Sequence, residues 1–141
     1  MIAVDTNVLV YAHRAGVPEH LGAARRLREL AEGAEPWGLP LFCIGEFVRV
    51  VTHPKLRPPS TLDQTFGFLG ALLHSPSARL LVPNDAFPQA FEDAVRDGGA
   101  VGNLSFDAQI VALCREARVK TLLTNDRDFA RFPGLTLERV G

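Results

Sequence analysis

Two aspartates come at the ends of apolar runs. Asp5 directly follows the run 1–4, and Asp126 comes just after the run 121–124. Short runs of this kind are typical of strands that are buried on both faces of a parallel sheet. Such sheets form their functional sites at the carboxyl ends of the strands. The pattern therefore predicts that Asp5 and Asp126 lie at that edge of the sheet.

Two further carboxylates lie on helical stripes that are otherwise apolar. One stripe combines Glu46 with Cys43, Phe47 and Val50, and the other combines Asp107 with Ile110, Val111 and Cys114. Each stripe should face the core, so each helix brings an acid to a surface meant for hydrophobic side chains. Most of the other acids fall on polar helix faces or in first turns, where solvation or the helix dipole explains them.

Four inward carboxylates require something that offsets their charge. An unpartnered buried carboxylate costs several kcal/mol, and two carboxylates about 4 Å apart repel by roughly 4 kcal/mol at an effective dielectric near 20. Salt bridges are disfavoured, because the stripes carry no lysine or arginine and Arg49 is expected on the opposite side of its helix from Glu46. Shared protons remain an alternative. A ligand set of carboxylates alone favours Mg²⁺ or Mn²⁺. Such a site suits phosphate-ester hydrolysis, although a purely structural cation stays open.

Strands and helices alternate along the chain, which predicts a layered α/β fold with a parallel sheet in one domain, 1–141. Strands are expected at 1–4, 37–42, 79–82, 119–124 and 135–137, and helices at 8–13, 19–32, 43–51, 61–74, 85–97 and 104–118. Pro40 indicates an edge strand or the start of a strand. Ser60 or Thr61 is expected to cap one helix, and Asn84 or Asp85 another.

Composition sets broad limits on function. The chain has 141 residues, 47% of them hydrophobic, and a net charge of -1. This charge neither indicates nor excludes a nucleic-acid partner. No apolar run is long enough for a membrane span, and the first residues carry no basic leader, so we expect a cytoplasmic protein. Cys43 and Cys114 are expected to be core thiols. Ser105 has no histidine partner in a convincing motif, which disfavours serine hydrolysis.

Four segments, in order, resemble the motifs of the PIN-domain ribonucleases, in particular the VapC-type toxins of prokaryotic toxin–antitoxin pairs. They are Val4–Leu9, Ile44–Phe47, Gly102–Ala108 and Leu123–Phe129. Each segment alone is a weak signal, but the four together span essentially the whole chain. Phe106 stands where a polar residue is commoner in the family.

The resemblance implies a three-layer fold with a central parallel sheet of four or five strands flanked by helices. It implies an Mg²⁺- or Mn²⁺-dependent endoribonuclease that cleaves structured RNA through metal-activated water in the prokaryotic cytoplasm. It further implies a homodimer and a VapB-like antitoxin.

The same resemblance suggests roles for individual residues. Asp5, Glu46 and Asp107 would hold the metal, with Asp126 binding through water or completing a second site. Around them, carboxylate orientation and simple turn capping are equally open for Thr6, Asn7, Thr124 and Asn125. Asp128 is interpreted as a turn cap or an outer-sphere group, with capping preferred.

Two other functions stay open. A phosphatase with an aspartate nucleophile would want a second aspartate two residues after Asp5, where this chain has Asn7. A catalytically silent PIN-like binding module would be expected to lack one or more of the four acids, all of which are present.

Overall fold

Five short strands form one parallel sheet in the computed structural model, which describes residues 1–141. In chain order they are β1 (Ile2–Val4), β2 (Trp37–Pro40), β3 (Ala78–Leu81), β4 (Thr121–Leu123) and β5 (Thr136–Glu138). Their order across the sheet is β3-β2-β1-β4-β5, and every neighbouring pair is parallel. The predicted parallel sheet of four or five strands is confirmed.

Six helices flank this sheet, as the alternating pattern predicted. They are α1 (Thr6–His13), α2 (His20–Glu32), α3 (Leu41–Val51), α4 (Leu62–Leu73), α5 (Phe87–Gly98) and α6 (Leu104–Glu116), and a short 3₁₀ helix covers Arg127–Arg131. Every residue of β2 is buried, and so are the last two residues of β1 and of β4. Helices therefore cover both faces of the sheet centre, which makes three layers. No helix is long and apolar enough to cross a bilayer.

The order of the strands creates the place where a site can form. From β1 the chain builds outward to β2 and β3, and it then returns to the other side of β1 to add β4 and β5. Val4 of β1 pairs with Leu123 of β4, so the residues that follow both strands emerge side by side. Crevices at such a reversal of strand order are the usual binding sites of open α/β sheets. Asp5 and Thr124 are the first residues past the two strands.

The core lies between the sheet and its helices. Its largest buried side chains include Trp37, Phe47 and Phe129. Cys43 and Cys114 are both free and fully buried, so the expected core thiols are confirmed.

The expectation for Pro40 was wrong. β2 is an internal strand, and Pro40 is its last residue rather than its first. It also serves as the N-cap of α3, which begins at Leu41 instead of at the expected Cys43. A proline is tolerated here because the ladder ends at this point, and its restricted φ suits the entry into a helix.

One predicted helix cap is present and the other is not. Thr61 caps α4 and forms a reciprocal capping box with Gln64. Neither Asn84 nor Asp85 caps α5, whose N-cap is Ala86. The Asn84 side chain instead accepts a hydrogen bond from the Ala86 N–H at 2.8 Å, in a turn that precedes the helix.

Candidate active site

Asp5 lies at the junction of β1 and α1. Its backbone N–H donates to the Leu123 carbonyl of β4 at 3.0 Å, which extends the strand pairing by one residue. Its side chain is buried and accepts two hydrogen bonds, from the Thr6 N–H at 2.8 Å and from the Thr124 hydroxyl at 2.7 Å. Burial raises the pKa of Asp5 to about 6; the two hydrogen bonds lower it, and the nearby charges of Glu46 and Asp126 raise it.

Asp107, Asp126 and Asp128 form a cluster of carboxylates. One oxygen from each lies within 4.8 Å of the others. Asp107 lies in the first turn of α6, and its side chain makes no hydrogen bond within the chain. Burial raises the pKa of Asp107 to about 7, and the carboxylates around it add to the effect, Asp126 most strongly.

The segment after β4 fixes Asp126. Its backbone N–H donates to the Thr124 hydroxyl oxygen at 3.0 Å, and its Oδ1 accepts from the Asp128 N–H at 2.9 Å. Asp126 is thus the cap of the 3₁₀ helix, and the preferred interpretation of Asp128 as the cap was wrong. The exposed Asp128 carboxylate faces the cluster instead.

Glu46 approaches the same site from α3. It lies outside the three-carboxylate cluster, but its charge raises the pKa values of both Asp5 and Asp107. The charges of Glu46 and Asp126 therefore act on both Asp5 and Asp107. Arg49 was expected on the opposite side of its helix from Glu46, but it lines the same cleft. Residues three apart on a helix are rotated by only about 60°, so they share a face. No ion pair links the two side chains.

The polar residues expected around the acids divide into two groups. Thr124 through its hydroxyl, and Thr6 through its backbone, hold Asp5 in place. Asn125 does not orient a carboxylate, because its amide makes two hydrogen bonds, both 2.9 Å long, with the backbone of Val140. Asn7 also hydrogen-bonds none of the acids, and its Oδ1 is buried without a partner.

A cleft of about 640 Å³ between α3 and α6 begins at Glu46. Its walls include Arg49, Asn103, Phe106 and Gln109, and sequence reasoning assigned none of them to a common cleft. A signal was present, because Phe106, Gln109 and Ile110 are spaced by three and four residues along α6 and therefore share one of its faces.

The donor set fits a hard divalent cation. The converging side-chain groups are carboxylates, and they crowd together without a cationic side chain between them. Asp107 also has its oxygens free of hydrogen bonds. Oxygen ligands of this kind are the ones that Mg²⁺ and Mn²⁺ prefer.

Comparison with known proteins gives the family. A model of the PIN domain matches residues 2–135. The chain belongs to the PIN-domain family. Within it, the chain is a member of the VapC group: Ribonuclease VapC43 of Mycobacterium tuberculosis is 40% identical over 133 residues, which cover 94% of this chain and 90% of that protein.

Solved structures agree with the PIN fold. VapBC2 of Rickettsia felis, determined with a DNA fragment from its promoter, has a TM-score of 0.71 at 21% identity and covers 100% of both chains. The sarcin-ricin-loop-cleaving toxin VapC20 of Mycobacterium tuberculosis has a TM-score of 0.69 at 22% identity, with 96% of this chain and 99% of that chain covered. These likenesses bear out the three-layer PIN-like fold that the motifs implied.

Proposed function

We propose that this PIN-domain protein is an Mg²⁺- or Mn²⁺-dependent endoribonuclease and the toxin of a toxin–antitoxin pair. The proposal rests on the cluster that contains Asp107 and Asp126, and on the nearness of Asp5 and Glu46, whose charges raise the pKa of Asp107. Two of these acids, Asp5 and Asp107, have pKa values raised to about 6 and about 7. These raised pKa values mean that the ionised carboxylates are destabilised in the metal-free protein, and a bound cation would stabilise them. The names of the VapC relatives, which are ribonucleases, support RNA as the substrate.

The four acids would hold the metal, and the surrounding residues set how well they do so. Thr124 is central, since its hydroxyl donates to Asp5 and accepts from the backbone of Asp126. One side chain therefore fixes the relative position of two acids that are 121 residues apart in sequence (5 against 126). Asp107, free of hydrogen bonds, is ready to bind a ligand without first breaking a contact.

The bound cation would supply Lewis-acid chemistry, namely neutralisation of phosphate charge and a lower pKa for water. The chain contributes the rest. The acids confine the reaction to the edge of the sheet, and Asp5 is buried against bulk water. A carboxylate that stays ionised at neutral pH can also accept a proton from an attacking nucleophile.

RNA cleavage tests this proposal directly. The purified protein is freed of metal with EDTA and incubated with transfer and ribosomal RNA, with and without added Mg²⁺ or Mn²⁺. We expect cleavage only with the added metal, and a loss of at least about 100-fold in Asp5→Asn and Asp107→Asn, because several kcal/mol of transition-state stabilisation disappear. The matched control is Asp63→Asn, an exposed acid in the first turn of α4, which should cleave like the wild type.

Two results would contradict the proposal. One is cleavage in EDTA at the full rate, and the other is a near-normal rate in both site variants. Hydrolysis of p-nitrophenyl phosphate without cleavage of RNA would favour the phosphatase instead. Metal-dependent RNA binding without any hydrolysis would favour the silent binding module.

We also propose a homodimer and a VapB-like antitoxin as partners. Several structural relatives are VapBC complexes, among them those of Salmonella typhimurium and Haemophilus influenzae. In this chain, α4 leaves Leu62, Phe66 and Leu73 exposed. Leu69 and Leu72 of the same helix are buried in the core. Sedimentation should give a dimer, and co-expression with a VapB-like protein should give a stable, inactive complex; a monomer that ignores such proteins contradicts this part.

A further inference from the structure

Phe106 is a largely exposed aromatic residue beside Asp107. It precedes Asp107 in the first turn of α6, yet 58% of its surface is exposed. A phenylalanine gains most of its stabilising effect by burial, so this ring contributes little to folding. Its place at the wall of the cleft that begins at Glu46 gives it a surface on which another flat group can lie.

The polar side chains of the cleft are unused within the chain. The side chains of Arg49, Asn103 and Gln109 make no hydrogen bond, and Arg49 makes no ion pair. Arginine, asparagine and glutamine together can contact a phosphate and both donors and acceptors at the edge of a base. Because Arg49 and Asn103 are exposed and Gln109 is partly exposed, all three side chains are accessible to a polar ligand in the cleft.

The size of the cleft agrees with a small, flat ligand. Its volume is about 640 Å³, and clefts that bind small ligands typically measure about 300–1,000 Å³. Glu46 belongs both to the cleft and to the acidic site. A ligand in the cleft therefore lies next to the acidic site, where the proposed function places the scissile phosphate.

We propose that this cleft binds one unpaired nucleotide of the RNA substrate, adjacent to the scissile phosphate. The base stacks on Phe106, the amides of Asn103 and Gln109 contact its edge, and Arg49 contacts a phosphate. The inference rests on the proposed ribonuclease function and adds a requirement for a base that is free of pairing. Aromatic side chains bind bases in this way in many proteins that recognise single strands.

RNA explains the composition of the cleft better than a protein partner does. An apolar peptide segment would leave the three free polar side chains without partners, at a cost for each one buried. The charge of Arg49 also complements phosphate at a site whose other charged groups are acids. Nucleotide binding uses the exposed ring and the free polar groups together.

The test compares Phe106→Leu, Phe106→Tyr and the control Leu21→Ala, which changes an exposed apolar side chain (79%) on α2. Fluorescence anisotropy measures binding of short single-stranded oligo(A) and oligo(U), and of an RNA duplex of the same length, with Ca²⁺ present. We expect Phe106→Leu to weaken single-strand binding by about 5- to 150-fold. Phe106→Tyr should retain most of the affinity because the ring is kept.

A second arm maps where cleavage occurs. A random-sequence RNA pool is digested with Mg²⁺, and the new ends are sequenced. The wild type should show a nucleotide bias beside the cut and should avoid paired regions, and Phe106→Leu should weaken that bias. Circular dichroism verifies that each variant is folded.

The two arms separate this inference from the proposed function. Phe106-dependent binding without any cleavage supports the cleft and overturns the ribonuclease. Normal binding and unchanged cleavage ends in Phe106→Leu overturn the cleft and leave the ribonuclease standing. Equal binding of duplex and single strand, or no RNA binding at all, also overturns the cleft. The same holds if Phe106→Leu alters only the sedimentation mass or antitoxin binding, which would make the cleft a protein interface.

Discussion

Asp107 should destabilise the metal-free protein above neutral pH. Its pKa is raised from the ordinary aspartate value of 3.8 to about 7, by burial first and then by the neighbouring acids. In the unfolded chain the group loses its proton near pH 3.8, whereas the folded chain keeps it until about pH 7. The folded state therefore binds more protons across this window, so stability falls as pH rises through it and changes no further above it.

The change to test is Asp107→Asn, which removes the charge and keeps the shape. The full shift in pKa sets an upper limit of about 4 kcal/mol, and solvent screening of this half-buried side chain reduces it to about 1–2 kcal/mol. We expect the metal-free variant to melt about 3–8 °C above the wild type at about pH 8. At about pH 4 the difference should nearly vanish, because the wild-type group is then protonated in the folded state.

Differential scanning calorimetry after EDTA treatment measures this difference, with Asp63→Asn as the control. That variant should show no gain, since an exposed acid in a first helical turn is slightly favourable. Added Mg²⁺ should raise the melting temperature of the wild type and have little effect on Asp107→Asn. A melting temperature of Asp107→Asn below that of the wild type at high pH, or the same difference at both pH values, would refute this prediction.

Three further variants probe the residues around the acids. Thr124→Val should lower the RNA cleavage rate about 10- to 100-fold. It should also move the acidic limb of the pH–rate profile to higher pH, because Asp5 loses a hydrogen bond that lowers its pKa. The control Thr136→Val, an exposed change in β5, should alter neither the rate nor the profile. Asn125→Ala should lower the unfolding free energy by about 1–3 kcal/mol in urea titrations and leave Mn²⁺ affinity unchanged, since its amide contacts only the C-terminal backbone; weaker Mn²⁺ binding would return Asn125 to the site. Arg26→Lys should cost about 0.5–1 kcal/mol in the same titrations, because lysine cannot form the two-pronged ion pair with β5; an unchanged midpoint would show that the pair does not stabilise the fold.

The sequence predicted the parts of the site that depend on local pattern. The apolar runs that precede Asp5 and Asp126 predicted two strand ends, and neighbouring parallel strands place those ends side by side. Helical spacing predicted that Glu46 and Asp107 lie on the inward faces of their helices. Local pattern is enough here because buried positions recur at a regular spacing along a helix. A carboxylate at such a position costs free energy, so it stands out as a residue that needs a function.

Other features depend on where distant segments run, which local pattern does not contain. For Asn125, orienting a carboxylate and capping a turn were equally open, but its amide pairs with Val140, whose position follows from the path after β5. The position of Arg49, in contrast, follows from local geometry. Three residues along a helix correspond to a rotation of only about 60°, which places Arg49 on the same face as Glu46. The cleft next to it emerges only when α3 and α6 pack together, so no single segment reports it.

The site itself is tested most directly by locating manganese. Crystals grown with Mn²⁺ allow anomalous diffraction to show where the ion binds. We predict a peak among the carboxylates of Asp5, Glu46, Asp107 and Asp126, and its loss in Asp107→Asn crystals. A peak elsewhere, or none at Mn²⁺ concentrations that support RNA cleavage, would contradict the account.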